Sequence, residues 1–167
     1  MKRKFAPMFV LALAGNVLLA GQTPASSWKE YVYPDDGFAI TLPMAPDVHK
    51  DPSHPSMFYT LHPTSDIVMG VMVESRIDDC QAALASFRSG MSPAVGPSRL
   101  KDFSANGHNG FEYENNGHQG DEVYGRYFCV NGKFYTLTAT WPVDDPKPAV
   151  VPRIMDSFRI LNPGSHN

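Results

Sequence analysis

The sequence lacks the motifs by which several classes of enzyme are recognised. Among its 167 residues there is no Gly-x-Ser-x-Gly that would carry a hydrolase nucleophile, and no Gly-x-Gly-x-x-Gly that would cradle a phosphate. The histidines match no standard zinc spacing. The formal net charge is −3, which disfavours nucleic-acid binding because that function needs a clustered basic face. We therefore expect a protein that is not an enzyme and that has no cofactor.

The first 25 residues have the layout of an export signal. Residues 2–4 are basic, and residues 9–20 form an apolar run that is too short to span a bilayer. Small residues follow, and none of residues 20–27 is the cysteine that a lipid anchor needs. We predict that residues 1–25 are a cleaved signal peptide. The mature protein should then be exported, periplasmic or extracellular, with no stable membrane insertion.

The remaining chain is long enough for one domain, and its hydrophobic pattern predicts mainly strands. We expect residues 27–162 to form this domain and residues 163–167 to be a disordered tail. The segment 45–55, rich in Pro, Asp and His, predicts an exposed loop. Residues 67–74 are apolar at consecutive positions, which predicts a strand covered on both sides. The other predicted strands are 28–33, 38–42, 57–61, 99–103, 110–114, 124–130 and 133–139.

Asn131-Gly132 predicts a tight hairpin in the second half of the chain. This dipeptide favours a type I′ turn, in which both central residues have positive φ. Pairing outward from the turn places Val130 opposite Lys133 and puts aromatic residues on both faces of the sheet. A sheet that is apolar on both faces needs two covers.

Two amphipathic segments predict helices that could supply these covers. The first follows an N-cap at Asp78 or Asp79 and ends near Gly90, before a linker at 92–97. The second contains apolar residues at helical spacing between 150 and 158, although its prolines could delay the start. The predicted fold class is α+β, an antiparallel sheet flanked by helices on both faces in an α/β/α sandwich.

Several short motifs resemble the exported PsbP-like proteins of bacteria. They are Trp28-x-x-Tyr31, Gly37-Phe38-x-Ile40-x-Leu42-Pro43-x-x-Pro46, Asn131-Gly132-x-x-Tyr135-x-Leu137 and Asp156-Ser157-Phe158-Arg159-Ile160. The likeness runs from about Trp28 to Leu161 and implies an antiparallel sheet between helices, as in the photosystem subunit PsbP and a Ran-binding import factor. It implies no common active site, because the better-known members act as accessory or binding proteins.

Arg126 is the most unusual charged residue of the predicted sheet. Strand alternation places its guanidinium on the same face as Phe128 and Tyr135. A cation there needs a partner, and Glu112 or Glu114 on the preceding strand could supply a carboxylate. Two interpretations stay open: a structural ion pair, or a site that binds the anionic part of a ligand.

The histidines offer a second candidate site. His49, His54 and His62 lie in or beside the segment 45–55, which also contains two aspartates. Imidazole and carboxylate groups are ligands that zinc and copper accept. The other interpretation is that these histidines are solvated loop residues. A metal-binding periplasmic protein is therefore the alternative function, and an unrecognised hydrolase is the third.

Cys80 and Cys129 are the only cysteines, and both follow the predicted signal peptide. Export would carry them to a compartment where thiols oxidise, so they could form a disulfide if the first helix crosses the strand that carries Cys129. Otherwise they are ordinary packing residues. The leading functional prediction is a non-enzymatic binding or accessory protein of the cell envelope, whose partner is an envelope protein or a small ligand.

Overall fold

The computed structural model describes residues 28–50, 56–95, 99–116 and 120–161. The predicted signal peptide and C-terminal tail lie outside these ranges. Within them the chain is mostly antiparallel β-sheet with two helices. The elements, in chain order, are β1 (Lys29–Tyr33), β2 (Phe38–Leu42), β3 (Asp47–Lys50), β4 (Ser56–Thr64), β5 (Ile67–Ser75), α1 (Cys80–Val95), β6 (Leu100–Ala105), β7 (His108–Asn116), β8 (Asp121–Val130), β9 (Lys133–Pro142), α2 (Val150–Ser157) and β10 (Arg159–Ile160).

The strands form two antiparallel sheets. The larger has seven strands in the order β3-β4-β5-β9-β8-β7-β6, and the smaller has three in the order β1-β2-β10. Strands β6 to β9 follow one another as hairpins, and β9 then pairs with β5. This pairing joins the two halves of the large sheet.

The hairpin predicted at Asn131-Gly132 is confirmed, with its register. Both turn residues have positive φ, 53° for Asn131 and 73° for Gly132. Val130 lies opposite Lys133, and the pairing continues outward to the far ends of β8 and β9. The turn chemistry therefore fixes which residues of these two strands share a face.

The prediction that residues 45–55 form a loop is wrong for Asp47–Lys50, which are strand β3. This strand pairs with β4 at the edge of the large sheet, and all four of its side chains are exposed. The pairing depends on backbone hydrogen bonds, and the strand has a single apolar residue, Val48, so the sequence shows no hydrophobic alternation there. Residues 51–55 lie outside the described ranges.

The prediction that β5 is covered on both sides is also wrong. Its apolar side chains alternate: Ile67, Met69 and Val71 are buried, whereas Val68 is 41% exposed. One side of β5 therefore faces the core and the other faces a surface that is open. An unbroken run of apolar residues could not distinguish these two sides.

Both predicted helices are present, with different bounds. Helix α1 begins where expected, because the Asp79 carboxylate accepts hydrogen bonds from the backbone N–H groups of Gln81 (2.9 Å) and Ala82 (3.0 Å). It continues past Gly90 to Val95, so the predicted linker is partly helical. Helix α2 begins at Val150, with a proline in its first turn, where no backbone donor is lost.

The two faces of the large sheet have different covers. The first face, which carries Phe128, Tyr135 and Leu137, packs against the small sheet and α2 in one continuous core. The second face, which carries Tyr127 and Phe134, contacts α1. The antiparallel sheet with two helices is as predicted. The first face differs from the expectation, because a three-stranded sheet accompanies the helix there.

Candidate functional site

Helix α1 covers one half of the second face. Beneath it lie four buried side chains of β6 to β9, and Ala83, Leu84 and Met91 of the helix pack against them. The four are Leu100, Phe111, Tyr127 and Phe134. The other half of this face, over β4, β5 and the far part of β9, has no covering element among the described residues.

This uncovered half forms a concave surface, which we call the open groove. It has a volume of about 310 Å³. Its outward-facing side chains come from three neighbouring strands: Phe58 and Thr60 of β4, Val68, Gly70 and Met72 of β5, and Thr136, Thr138 and Thr140 of β9. At Met72 the groove meets a second hollow of about 230 Å³ along α1, where Glu74, Phe87 and Phe134 are among the lining residues.

The composition of the open groove follows from strand alternation. In the run Thr-Leu-Thr-Ala-Thr of β9, the threonines point to the second face, whereas Leu137 and Ala139 are buried on the first. At the outer end of the groove, the His49 ring stacks on Phe58 with ring centroids 5.0 Å apart. The hydroxyl oxygen of Thr136 is buried and has no hydrogen-bond partner among the described residues.

Charge is sparse in the open groove and its neighbouring hollow. Glu74 is the one charged residue that lines them, and it forms no salt bridge with any residue that the structure describes. Asp47 of β3 lies opposite Thr60, so it projects to the same face. The open groove is therefore largely neutral, with the Asp47 carboxylate on one side and the Glu74 carboxylate on another.

Arg126 lies on the first face, 7% exposed, within a network of protein groups. Its Nε donates to the Tyr124 hydroxyl (2.8 Å) and to the Glu112 carboxylate (3.2 Å), and its Nη1 lies 2.7 Å from Asp156. Phe103 stacks 4.1 Å beneath the guanidinium. Burial, followed by the hydrogen bond to Glu112, raises the pKa of Tyr124. The network links β7 and β8 to α2, and the anion-binding role stays a prediction.

The structure describes two of the three histidines considered for a metal site. His49 lies on β3 against Phe58, and His62 lies exposed on β4. His54 lies outside the described residues. Within the ranges that the structure covers, no group of three His, Cys, Asp or Glu side chains is placed to hold a metal ion. Metal binding at these residues stays a prediction.

Cys80 and Cys129 are joined by a disulfide, with Cα atoms 5.1 Å apart. The bond connects the first residue of α1 to β8, so the helix does cross the strand that carries Cys129. The disulfide was predicted only on the condition that the first helix crosses this strand, and the sequence alone does not determine that crossing. The disulfide fixes α1 over one half of the second face and leaves the open groove beside it.

A small cleft lies between the two sheets. Its lining is apolar, including Tyr33, Leu42, Leu61 and Met155, and its volume is about 20 Å³. That volume would admit one water molecule, which needs polar partners that this lining does not offer. The cleft is therefore part of the core rather than a ligand site.

Sequence reasoning missed the open groove, although one signal for it was present. Threonine alternates with apolar residues at Thr136, Thr138 and Thr140, which is typical of a strand with one side outside the core. The aromatic residues of β8 and β9 on the second face suggested a complete cover instead. They lie under α1, whereas the threonines lie beyond it.

The architecture is a PsbP-like fold, as the comparison with solved structures shows. The chain is similar to cyanobacterial PsbP (CyanoP) from Synechocystis sp. PCC 6803, with a TM-score of 0.56 and 14% identity over 87% of this chain and 99% of that one. It is also similar to a protein from Bacteroides thetaiotaomicron VPI-5482, with a TM-score of 0.55 and 7% identity over 82% of this chain and 50% of that one. No family model and no curated protein matches the sequence. Among the helices described here, neither has the length and apolar character to cross a membrane.

Proposed function

We propose that this protein is a non-enzymatic accessory protein of the cell envelope, which binds another protein through the open groove. The observation that supports this proposal is the half-covered second face of the large sheet. Its open half presents Val68, Met72 and Phe58 to solvent in a concave arrangement. These apolar side chains lie among four threonines, and an exposed apolar surface bordered by polar residues is typical of interaction sites in soluble proteins.

A protein partner suits this surface better than a small ligand. Small-molecule sites usually enclose most of the ligand surface, whereas the open groove has a sheet as its floor and α1 along one side. The enclosed cleft between the sheets holds only about 20 Å³. We therefore assign the binding role to the sheet face and to a macromolecule.

Export is part of the proposal, and two features support it. The layout of residues 1–25 is that of a signal peptide. The disulfide between Cys80 and Cys129 suits an oxidising compartment, where such bonds persist. The low identity to CyanoP carries the fold alone, so no role in photosynthesis is transferred to this chain.

Site-specific crosslinking in the native envelope tests the proposal. A photoreactive amino acid replaces Val68 in the open groove or, as a matched control, Val32 on β1, which is also an exposed strand valine (41% and 50% exposed). We expect a discrete crosslinked protein from position 68 and none from position 32. Equal products at both positions, or a product at position 32 only, would place the partner elsewhere. Recovery of the protein from the cytoplasm would contradict the export.

A further inference from the structure

We infer that the open groove binds an amphipathic helix of the partner, with lysine or arginine beside its apolar stripe. This inference rests on the proposed function and specifies the segment that the groove recognises. Three properties of the groove support it: the state of its backbone hydrogen bonds, its width, and the distribution of apolar and charged side chains.

The backbone of the groove floor favours a helix over an extended segment. Strand β4 pairs with β3 and β5, and β9 pairs with β5 and β8, so the strands of the floor are hydrogen-bonded on both sides. An extended peptide on this face would lose its bonds to water without finding backbone partners. A helix satisfies its own backbone and needs only a side-chain surface.

The width of the groove matches one helix. Adjacent strands lie about 4.8 Å apart, so the floor of the groove, from β4 through β5 to β9, is about 10 Å wide, and the edge strand β3 extends it to about 14 Å. A helix with its side chains is about 10 to 12 Å in diameter. Helix α1 already packs in this manner on the other half of the same face, so a partner helix would lie beside it and complete the layer.

The side chains specify the chemistry of that helix. Val68, Met72 and Phe58 offer apolar contacts, and an unbranched methionine adapts readily to the shape of a partner. Phe87 of α1, 40% exposed, borders the adjoining hollow. Glu74 lines this hollow without a cationic partner among the described residues. An apolar stripe flanked by lysine or arginine complements this arrangement, and a stripe flanked by acids is repelled.

Binding of designed peptides to the whole secreted protein tests the inference. The probe is a peptide of about 18 residues, long enough to be helical, with a leucine stripe flanked by lysines. Its matched control carries glutamates in place of the lysines. We expect the lysine peptide to shift the amide NMR signals of Gly70, Thr138 and their neighbours. The glutamate peptide should bind at least about tenfold more weakly, because two carboxylates border the site.

Substitutions locate the interaction. Val68→Arg should weaken binding of the lysine peptide at least about tenfold, since it places a cation and a long side chain in the groove. Val32→Arg should leave the affinity unchanged, and Glu74→Gln should reduce it about threefold. Thermal melts verify folding, and Thr138→Arg is a second groove variant if Val68→Arg is unstable.

Several results would overturn the inference. They are absence of binding by the lysine peptide, equal binding of the two peptides, shifts confined to surfaces outside the groove, or a homodimer in light scattering that Val68→Arg dissociates. The last result would assign the groove to a second copy of the chain. A protein crosslinked at position 68 in the envelope would still support the proposed function, so failure of the helix inference can be distinguished from failure of the function.

Discussion

The two faces of the seven-stranded sheet hold their covers by different means. On the first face, α2 buries Val151, Ile154 and Met155 in a core shared by both sheets. On the second face, none of the α1 side chains described, from Cys80 to Ser92, is fully buried. The disulfide and the Asp79 cap attach the start of α1 instead. One cover is thus held by fully buried side chains, and the other combines partly buried side chains with a covalent bond.

This difference has a physical origin in the surroundings of the two helices. A helix of moderate length has little stability of its own in water and depends on tertiary contacts. Helix α2 obtains these contacts by packing against β2, and its buried side chains join the core that both sheets share. Among the elements that the structure describes, α1 is the one that packs on the second face, where it rests on four buried side chains. A single cover also leaves room for the open groove, so the site and the weak packing have the same cause.

The largest expected effect is the difference between two phenylalanine truncations, one in the first-face core and one in α1 on the second face. Phe38 is 0% exposed at the centre of the first-face core, and Phe87 is 40% exposed on α1. We expect Phe38→Ala to lower the free energy of unfolding by about 4 kcal/mol, because it leaves a cavity. Phe87→Ala should cost about 1 kcal/mol. Urea denaturation measures both, and similar losses would show that α1 is packed as firmly as the opposite cover.

Loss of the disulfide should have the next largest effect. The bond joins residues 49 positions apart, and closing a loop of that length contributes about 2 to 4 kcal/mol by restricting the unfolded chain. We expect this loss in the double variant Cys80→Ser, Cys129→Ser. Hydrogen exchange should rise more in α1 and in the residues beneath it than in α2. A uniform rise across both helices, or no change in α1, would show that the disulfide is not what holds α1 on the sheet.

Two glycine substitutions should have smaller effects of opposite sign. Gly132 has φ +73° in the β8–β9 turn, and an added Cβ would lie 3.4 Å from the Ile77 carbonyl oxygen. Gly132→Val should therefore destabilise the protein by about 1 kcal/mol or more.

Gly90 lies in α1 with open space around it, so Gly90→Ala should stabilise the protein by about 0.5 to 1 kcal/mol. An unchanged melting temperature in both variants would count against the hairpin register and against a marginal α1.

Local chemistry was sufficient to predict much of the fold from the sequence. The Asn131-Gly132 turn determines the pairing of β8 with β9, and Asp79 determines where α1 begins. Strand β3 was missed because edge pairing needs only backbone groups. The order of the strands depends on contacts between distant residues, such as those of β5 with β9, which no local pattern contains.

The open groove was harder to predict than the strands, because its position depends on where α1 ends on the second face. The alternation of threonines in β9 indicates that one side of this strand lies outside the core. The sequence of β9 does not indicate how far α1 extends across the sheet. Arg126 could be placed on its face by counting, and Glu112 was one of the two carboxylates expected near it. Asp156 comes from α2, and its approach depends on how that helix packs. Long-range placement therefore limits what the sequence reveals about function.

The smallest expected effect at neutral pH concerns Tyr135, in the well-packed first-face core. Burial, and then the charge of Asp36, raise the pKa of Tyr135 from 10.0 to about 12, and its hydroxyl donates to the Asp36 carbonyl oxygen (3.0 Å). The unfolded tyrosine loses its proton above pH 10, whereas the folded one keeps it until about pH 12. The contribution of this residue to stability is thus complete below pH 10 and is lost as the pH rises towards 12. The phenylalanine in Tyr135→Phe cannot ionise, so the free energy of unfolding of this variant, measured by urea denaturation, should fall less steeply between pH 10 and pH 12. The same dependence on pH in both proteins would show that the first face does not shield this hydroxyl.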